Sequence, residues 1–434
     1  MKLSRKFVSD YVDIDVDINT LAEDMTGIGN EYDSCGKLIP ATHLIIGEVI
    51  DCHPHPDSDH LNVCKVDIGS EILQIVCGAP NVRSGLKVIV ALTGAVLPGG
   101  VIKKSVIRGE ESNGMICAIS ELGLEHKFLT SKDIDGIHEL PQDAKVGEDP
   151  IKYLELDDEV IDFELTSNRG DLLSILGMAY EIGALYNRQV KDIDLSYQST
   201  KEDVNNVFSL DIRTSNCPLF LAKKVTNVTI KESPAFIKNR LIASGIRPIN
   251  NVVDISNYVM LETGQPLHYY DANRLGEKIV VRMANDGEEL TTLDGQKRIL
   301  SNSDIVIATD KEAVGLAGVM GGLTTEIEED TKDIIIESAI FNATSIRKTS
   351  KKVLRSEASN RFEKGLDPKR TYMAIERSCH LLEKYADATI VGGIVEYKDM
   401  DINDRKIDIT CEKINKVLGI TIPEDEILSI FDRL

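Results

Sequence analysis

Between residues 44 and 140 the apolar positions come in short runs broken at close intervals by Gly and Pro: LIIGEVI (44–50), LNVCKVDI (61–68), ILQIVC (72–77), LKVIVAL (86–92) and GMICAI (114–119). Turn signals at 67–69, 78–80 and 98–100 separate them, and short strands at this spacing predict a small antiparallel barrel. The flanks change period. Residues 171–187 place Leu172, Ile175, Leu176, Ala179, Ile182 and Tyr186 on one helical face. The acidic stretch from Asp10 to Asp24 reads as a strand or turn leading into a helix. The barrel is therefore expected to be inserted into a small helical or mixed domain built from 1–39 plus 150–200.

From 207 to 396 the pattern is mixed. A helix is expected to open with Ser233 as N-cap and Pro234 at its first position and to stop at Gly245. A second opens at Asp367-Pro368 and runs to about Tyr385. Strands are expected at KIVVRM (278–283), DIVIAT (304–309) and DIIIES (333–338), which makes this region an α+β domain. The segment 402–434 holds two helices, one from Thr410 to Leu418 closed by Gly419. The other starts near Thr421, which has capping-box spacing to Glu424. Ile427, Ile430, Phe431 and Leu434 form an apolar stripe on that last helix, and no stop signal follows it, the look of a chain truncated within a further domain.

At 434 residues the chain exceeds a single core, and one domain per roughly 100–200 residues gives two to four. No run of 18 apolar residues exists and the N-terminus turns acidic early, so neither a membrane span nor export is expected. Cys35, Cys52, Cys64, Cys77, Cys117, Cys217, Cys379 and Cys411 contain no CxxC pair, which favours reduced thiols in a cytoplasmic protein over a zinc site. His53, His55, Asp57, Asp59 and His60 cluster, but Pro54 and Pro56 fix an extended turn, and a metal cage is not expected there. The net charge of −22 argues against a protein that coats nucleic acid. One window departs from that average: from Ile340 to Arg370 the balance is +6, with Arg347, Lys348, Lys351 and Lys352 at its head. Such a strip on an acidic body suits a selective RNA binder or is a solvated face; charge alone leaves both open.

The barrel segment carries GEVIDCHPHPDSDHLNVCKVDIG, IVCGAPNV, VALTGAVLPGG and IKKSVIRGEESNGMICAISELGL. In order and wording it resembles the EMAP-type tRNA-binding domain, an oligonucleotide-binding (OB-fold) barrel. That resemblance makes Lys103, Lys104 and Arg108 the expected phosphate contacts. Residues 166–188 (TSNRGDLLSILGMAYEIGALYNR), together with RPINNVVDISNYVMLETGQPLHYYDANRL (247–275), GLAGVMGG (315–322) and IIIESAIFNATSIRKTSKKVLRSEASNRFEKGLDP (334–368), resemble bacterial phenylalanine–tRNA ligase β subunits. The last three blocks resemble that family's editing domain. The implied architecture is an OB-fold barrel (40–149) in a discontinuous N-terminal domain. An α+β editing domain (207–396) follows, and then the start of a helical winged-type module (402–434).

The resemblance implies tRNA binding and hydrolysis of tyrosine wrongly attached to tRNA(Phe). Charging with phenylalanine belongs to an α subunit in an (αβ)₂ heterotetramer, and ATP and Mg²⁺ serve the complete enzyme with no ligand assignable in these residues. DNA and membrane partners are not expected. A pocket built for Phe rejects an isostere bearing one extra hydroxyl by only about 10², whereas a site built to hydrogen-bond that hydroxyl rejects the analogue lacking it by about 10⁴–10⁵. In the family a glutamate of the IIIES block recognises the phenol, here Glu337, and a histidine lies near the ester, here His268. Ser256, Asn257, Gly315, Gly318, Ser356 and Ala358 match pocket positions, and Gly321 and Gly322 extend the glycine-rich loop. On the residues alone, Glu337 is as readily a carboxylate paired to an arginine, and His268 a structural imidazole. No serine, cysteine or paired-carboxylate nucleophile emerges, so water is the expected attacking group. Two other readings stand beside this one: a free-standing trans-editing hydrolase and a non-catalytic tRNA-binding protein.

Overall fold

The computed structural model describes residues 1–129 and 131–434, with side chains at 131 and 132 excepted. It is a mixed α+β protein of several sheets. The strand Lys2–Ser4 and the strand Tyr32–Lys37 flank the strand Glu159–Phe163 in one antiparallel sheet, so chain from both sides of the inserted segment meets there. Between them the helix Ile18–Gly27 starts where Asp17 accepts from the Asn19 and Thr20 amides, satisfying two orphan donors.

The inserted segment forms a sheet in the order Gly114–Ile116, Lys87–Leu92, Leu44–Pro54, Asn62–Asp67, Ile72–Cys77. Its outer strands are stitched together by Asn113 N–H to Gln74 O (2.9 Å) and Val76 N–H to Ser112 Oγ (3.1 Å). Val88 and Val90 face one apolar cluster with Val49, Val66 and Ile75, while Ile89 and Ala91 face another with Leu122 and Leu140. Burial on both faces explains why this strand reads as an unbroken apolar run.

Residues 199–398 hold two large sheets and a two-stranded one (Glu289–Thr291 with Lys297–Ile299). One large sheet is ordered Ser199–Asp203, Thr389–Gly392, Leu219–Thr226, Ile334–Ile340, Leu267–Asp271. The other is ordered Ser209–Ile212, Lys278–Met283, Ile305–Ala308, Ala313–Leu316, Met320–Gly321. Alternation sorts the central strand. Ile334 and Ile336 enter a cluster with Phe7, Ile175, Ile255 and Tyr258, whereas Ile335 and Ala339 enter a second with Tyr270, Ile307 and Phe362. The first cluster thus joins both flanks of the barrel to the α+β region. A buried ion pair reinforces that seam: Arg377 grips both oxygens of the fully buried Glu262 (2.9 Å each), which also accepts from the Tyr11 hydroxyl.

Several local expectations shift. Asp367 caps the helix Pro368–Tyr385 and Gly419 closes the helix Cys411–Leu418, both as expected. The helix Ala235–Ala243, however, has Pro234 at its N-cap, because Ser233 instead donates to the buried Asp254 (2.5 Å). Thr421 does not cap the helix Glu424–Arg433. Asn415 clamps the Ile422 amide and carbonyl (2.9 and 3.0 Å), which holds the chain extended to Pro423. Ile427 of the apolar stripe is buried, while Ile430, Phe431 and Leu434 are exposed. The strand Leu219–Thr226, the helix Asn251–Thr263 and the strand Leu267–Asp271 were not anticipated. No helix among the described residues is long and apolar enough to cross a membrane.

Candidate functional site

The central strand IIIESAI is buried at every position, so its one carboxylate lies in an apolar layer. Glu337 stands directly opposite His268 in the antiparallel register. His268 and Tyr270, two residues apart, project to the same face as Glu337. The Tyr270 hydroxyl donates to Glu337 Oε2 (2.5 Å), and the His268 and Tyr270 rings meet edge to face with centroids 4.4 Å apart. A cavity of about 90 Å³ opens beside them, walled by these three side chains, by Ile307 and residues 315–321 of the second sheet, and by Ala358 and Phe362 of the helix Glu357–Phe362. That volume admits several waters or a small ring.

Burial pushes the Glu337 carboxyl up to about 7, partly offset by the Tyr270 hydrogen bond, and pushes the His268 imidazole down to about 4. The Tyr270 phenol is raised by burial and by the Glu337 charge, as is the buried Cys217 thiol. At neutral pH the cavity thus holds a neutral imidazole, a fully protonated phenol and a carboxyl near its midpoint. Glu337 Oε1 has no hydrogen-bond partner among the described residues.

The glycine-rich loop fits closely. A Cβ on Gly321 would lie 2.2 Å from His268 Cε1, so only glycine lets that ring pack against the backbone. Gly318 has a φ of +65° and sits under Ile346 and Phe362. Gly315 pairs with Gly321 across the strands and lines the cavity. The Gly322 amide is already taken by Val314 O (2.8 Å), which removes it as a donor to a ligand. Ser356 caps the Glu357–Phe362 helix and donates to Val319 O (2.7 Å), tying that helix to the loop without lining the cavity itself.

Ser256 and Asn257 are not brought to this cavity. Their helix packs on the sheet face that carries Ile334 and Ile336, opposite to Glu337, and Ser256 Oγ turns back to Val253 O (2.8 Å). Tyr270 was the residue missed. The signal lay in the i, i+2 spacing of LHYYD, which puts His268 and Tyr270 on one face if the segment is a strand.

The basic window divides. Arg347, Lys348 and Lys351 are exposed on the helix Ala343–Lys352, beside the cavity wall. Lys352 pairs with Asp304 (3.1 Å). Arg361 is buried, donating to Leu173 O (3.0 Å) and to Glu357 (2.8 Å), and Arg370 holds Ser174 Oγ (2.7 Å) and Thr263 O (3.1 Å). These two arginines latch the 170–174 segment and are unavailable as a docking strip. On the inserted segment Lys103 and Lys104 are exposed, Lys104 lying 3.7 Å from Glu111, while Arg108 spends one N–H on Asp57 O (2.8 Å). His55 is buried, with Nδ1 accepting from the Asp57 amide and Nε2 donating to Ile107 O (both 3.0 Å). It pins the loop to the 105–107 strand, with both ring nitrogens engaged by the backbone. Among the described residues no three His, Cys, Asp or Glu side chains converge on a possible metal position. All eight cysteines are free.

Residues 216–387 match the family described as B3/4 domain, and residues 44–149 match the family described as putative tRNA binding domain. Across its whole length the chain is 44% identical to a phenylalanine–tRNA ligase β subunit of Bacillus cereus and 45% identical to that of Bacillus subtilis (strain 168). It spans 55% of the length of each of these curated relatives. An N-terminal fragment of the phenylalanyl-tRNA synthetase β-subunit from Pyrococcus horikoshii superposes with a TM-score of 0.33 at 14% identity. The match covers 64% of this chain and 77% of that one, too slight a likeness to carry an argument.

Proposed function

We propose, from the premise that this chain belongs to the phenylalanine–tRNA ligase β-subunit family, that its cavity hydrolyses tyrosine esterified to tRNA(Phe). The observation that carries the reading is Glu337: a carboxyl 6% exposed, with one oxygen unpartnered, lining a ring-sized cavity directly across the strand pair from His268. Glu337 lines the cavity, so a ring that fills it seals Oε1 from water; sealing an acceptor without a partner is costly, and the cavity therefore favours a ligand that brings a hydroxyl and rejects one that does not. Phenylalanine leaves Oε1 unsatisfied; tyrosine satisfies it.

The ester then lies toward His268. A base works best with its pKa near the operating pH. An imidazole at about 4 is too weak to take a full proton from water, so His268 accepts a hydrogen bond and orients the attacking water. The water's proton passes by way of the adjoining terminal hydroxyl of the tRNA to the departing ribose oxygen as the ester C–O bond breaks. Gly321 keeps the ring in place by leaving no side chain between it and the backbone.

The segment 40–149 is read as an OB-fold tRNA-binding domain, supported by its strand order, by the hydrogen bonds that join the two ends of that order and by exposed Lys103 and Lys104. Arg347, Lys348 and Lys351 add a basic approach to the α+β editing domain (207–396). Aminoacylation with ATP and Mg²⁺ is assigned to an α subunit in an (αβ)₂ enzyme acting in the cytoplasm. The test is deacylation of Tyr-tRNA(Phe) against Phe-tRNA(Phe). Glu337→Ala and His268→Ala should each slow the first reaction, by about 10²-fold for the loss of a positioned group; unchanged rates in both would remove the assignment.

A further inference from the structure

The carboxyl of Glu337 is not a free receptor for a phenol, since a phenol of the protein itself already holds it. We propose that Tyr270 is a specificity-determining partner of Glu337: by donating to Oε2 it commits one oxygen and leaves Oε1 as the single acceptor that an incoming phenol must satisfy. The inference rests on the proposed editing of tyrosyl esters and goes further, to what makes the recognising carboxylate selective.

Three features support it. Both residues are buried, both wall the same cavity, and their oxygens are 2.5 Å apart. No cation pairs with Glu337 among the described residues, so the Tyr270 hydroxyl is the one protein group there that stabilises the ionised form. Tyr270 is also held rigidly. Its ring packs edge to face on His268, and its hydroxyl comes within 3.7 Å of the place where a Gly315 Cβ would stand.

The consequence follows from the cost of burial. An ionised oxygen left unsatisfied is penalised far more than a neutral one, so rejection of a phenyl ring depends on Glu337 being charged. Without the Tyr270 hydrogen bond, burial acts unopposed and the carboxyl stays protonated at neutral pH. The pocket then tolerates phenylalanine. Selectivity should return at higher pH, when the carboxyl ionises.

The test uses the full chain with tyrosinol and phenylalaninol, which bind without being consumed, and follows the Glu337 carboxyl by carbon-13 NMR. Tyr270→Phe should raise the carboxyl midpoint, lower the tyrosinol preference roughly ten-fold at about pH 7, as expected for one charged hydrogen bond, and recover that preference as the pH rises. In a Glu337→Gln background, where the side chain cannot ionise, Tyr270→Phe should change the preference little. An unmoved midpoint, or a preference lost equally in both backgrounds and at every pH, would overturn the proposal. Hydrolysis of Tyr-tRNA(Phe) is assayed separately. A wild-type chain that prefers tyrosinol but leaves the ester intact would refute the editing reading while this pairing stands.

Discussion

The cavity of the α+β region and the basic loops of the inserted barrel both hold residues expected to meet a tRNA-borne ligand, yet the structure treats their charges in opposite ways. Glu337 and His268 are removed from water, and burial shifts each toward its neutral form. Lys103 and Lys104 stand in solvent, where their placement costs nothing and therefore says little. A buried polar group has to be explained by a partner or a task; an exposed one does not. Arg361 sharpens the lesson, because it counts toward the same +6 window as Lys351 yet is spent on Leu173 and Glu357 inside the protein.

The largest expected effect tests the buried side of that contrast. Arg377→Ala leaves Glu262 charged and fully buried, and should lower stability in urea unfolding by about 3–5 kcal/mol. A loss no larger than that of a surface lysine would break the contrast. Next, Gly321→Ala places a methyl 2.2 Å from His268 Cε1 and should reduce Tyr-tRNA(Phe) hydrolysis by about 10²-fold while the fold persists, since displacement of a positioned group by about 1 Å costs that much.

A pH effect comes third. Burial raises Glu337 from its ordinary 4.5 to about 7, so the folded protein holds that proton more tightly than the unfolded chain. The associated stabilisation is complete below about 4.5 and is lost as pH rises through about 7. His268 runs the other way: it contributes above 6.5 and loses that contribution as pH falls toward about 4. Thermal midpoints of Glu337→Gln minus wild type should therefore rise across pH 4.5 to 7, isolating the carboxyl; a flat difference would mean that Glu337 is not desolvated. The smallest effect belongs to the barrel. Lys103→Ala with Lys104→Ala should leave stability within about 0.5 kcal/mol and reduce the slope of tRNA affinity against salt by about one to two units. An unaltered slope would place the tRNA elsewhere.

Much of the fold was legible. The five strands of the inserted segment and the helix from Pro368 announced themselves through period, turn residues and an Asp-Pro start. Leu219–Thr226 was less visible, because a strand buried on both faces yields an apolar run without alternation, and Lys223 and Lys224 break even that. Ser233 misled because a side chain suited to capping found a better partner in Asp254, 21 residues away. Ser256 and Asn257 matched a motif, but the face on which their helix packs sets them apart from Glu337.

The sequence by itself determined which groups are present and their local posture: a carboxylate after three isoleucines, a histidine and a tyrosine two residues apart, glycines where a backbone must come close. Those follow from side-chain alternation and backbone sterics, which act within a few residues. Only the tertiary structure decided that Glu337 faces His268, that Tyr270 reaches it from 67 residues away, and that some arginines latch while others stay free. Those outcomes are set by register between strands distant in the chain and by which face each helix buries. Both are resolved by packing all the elements at once.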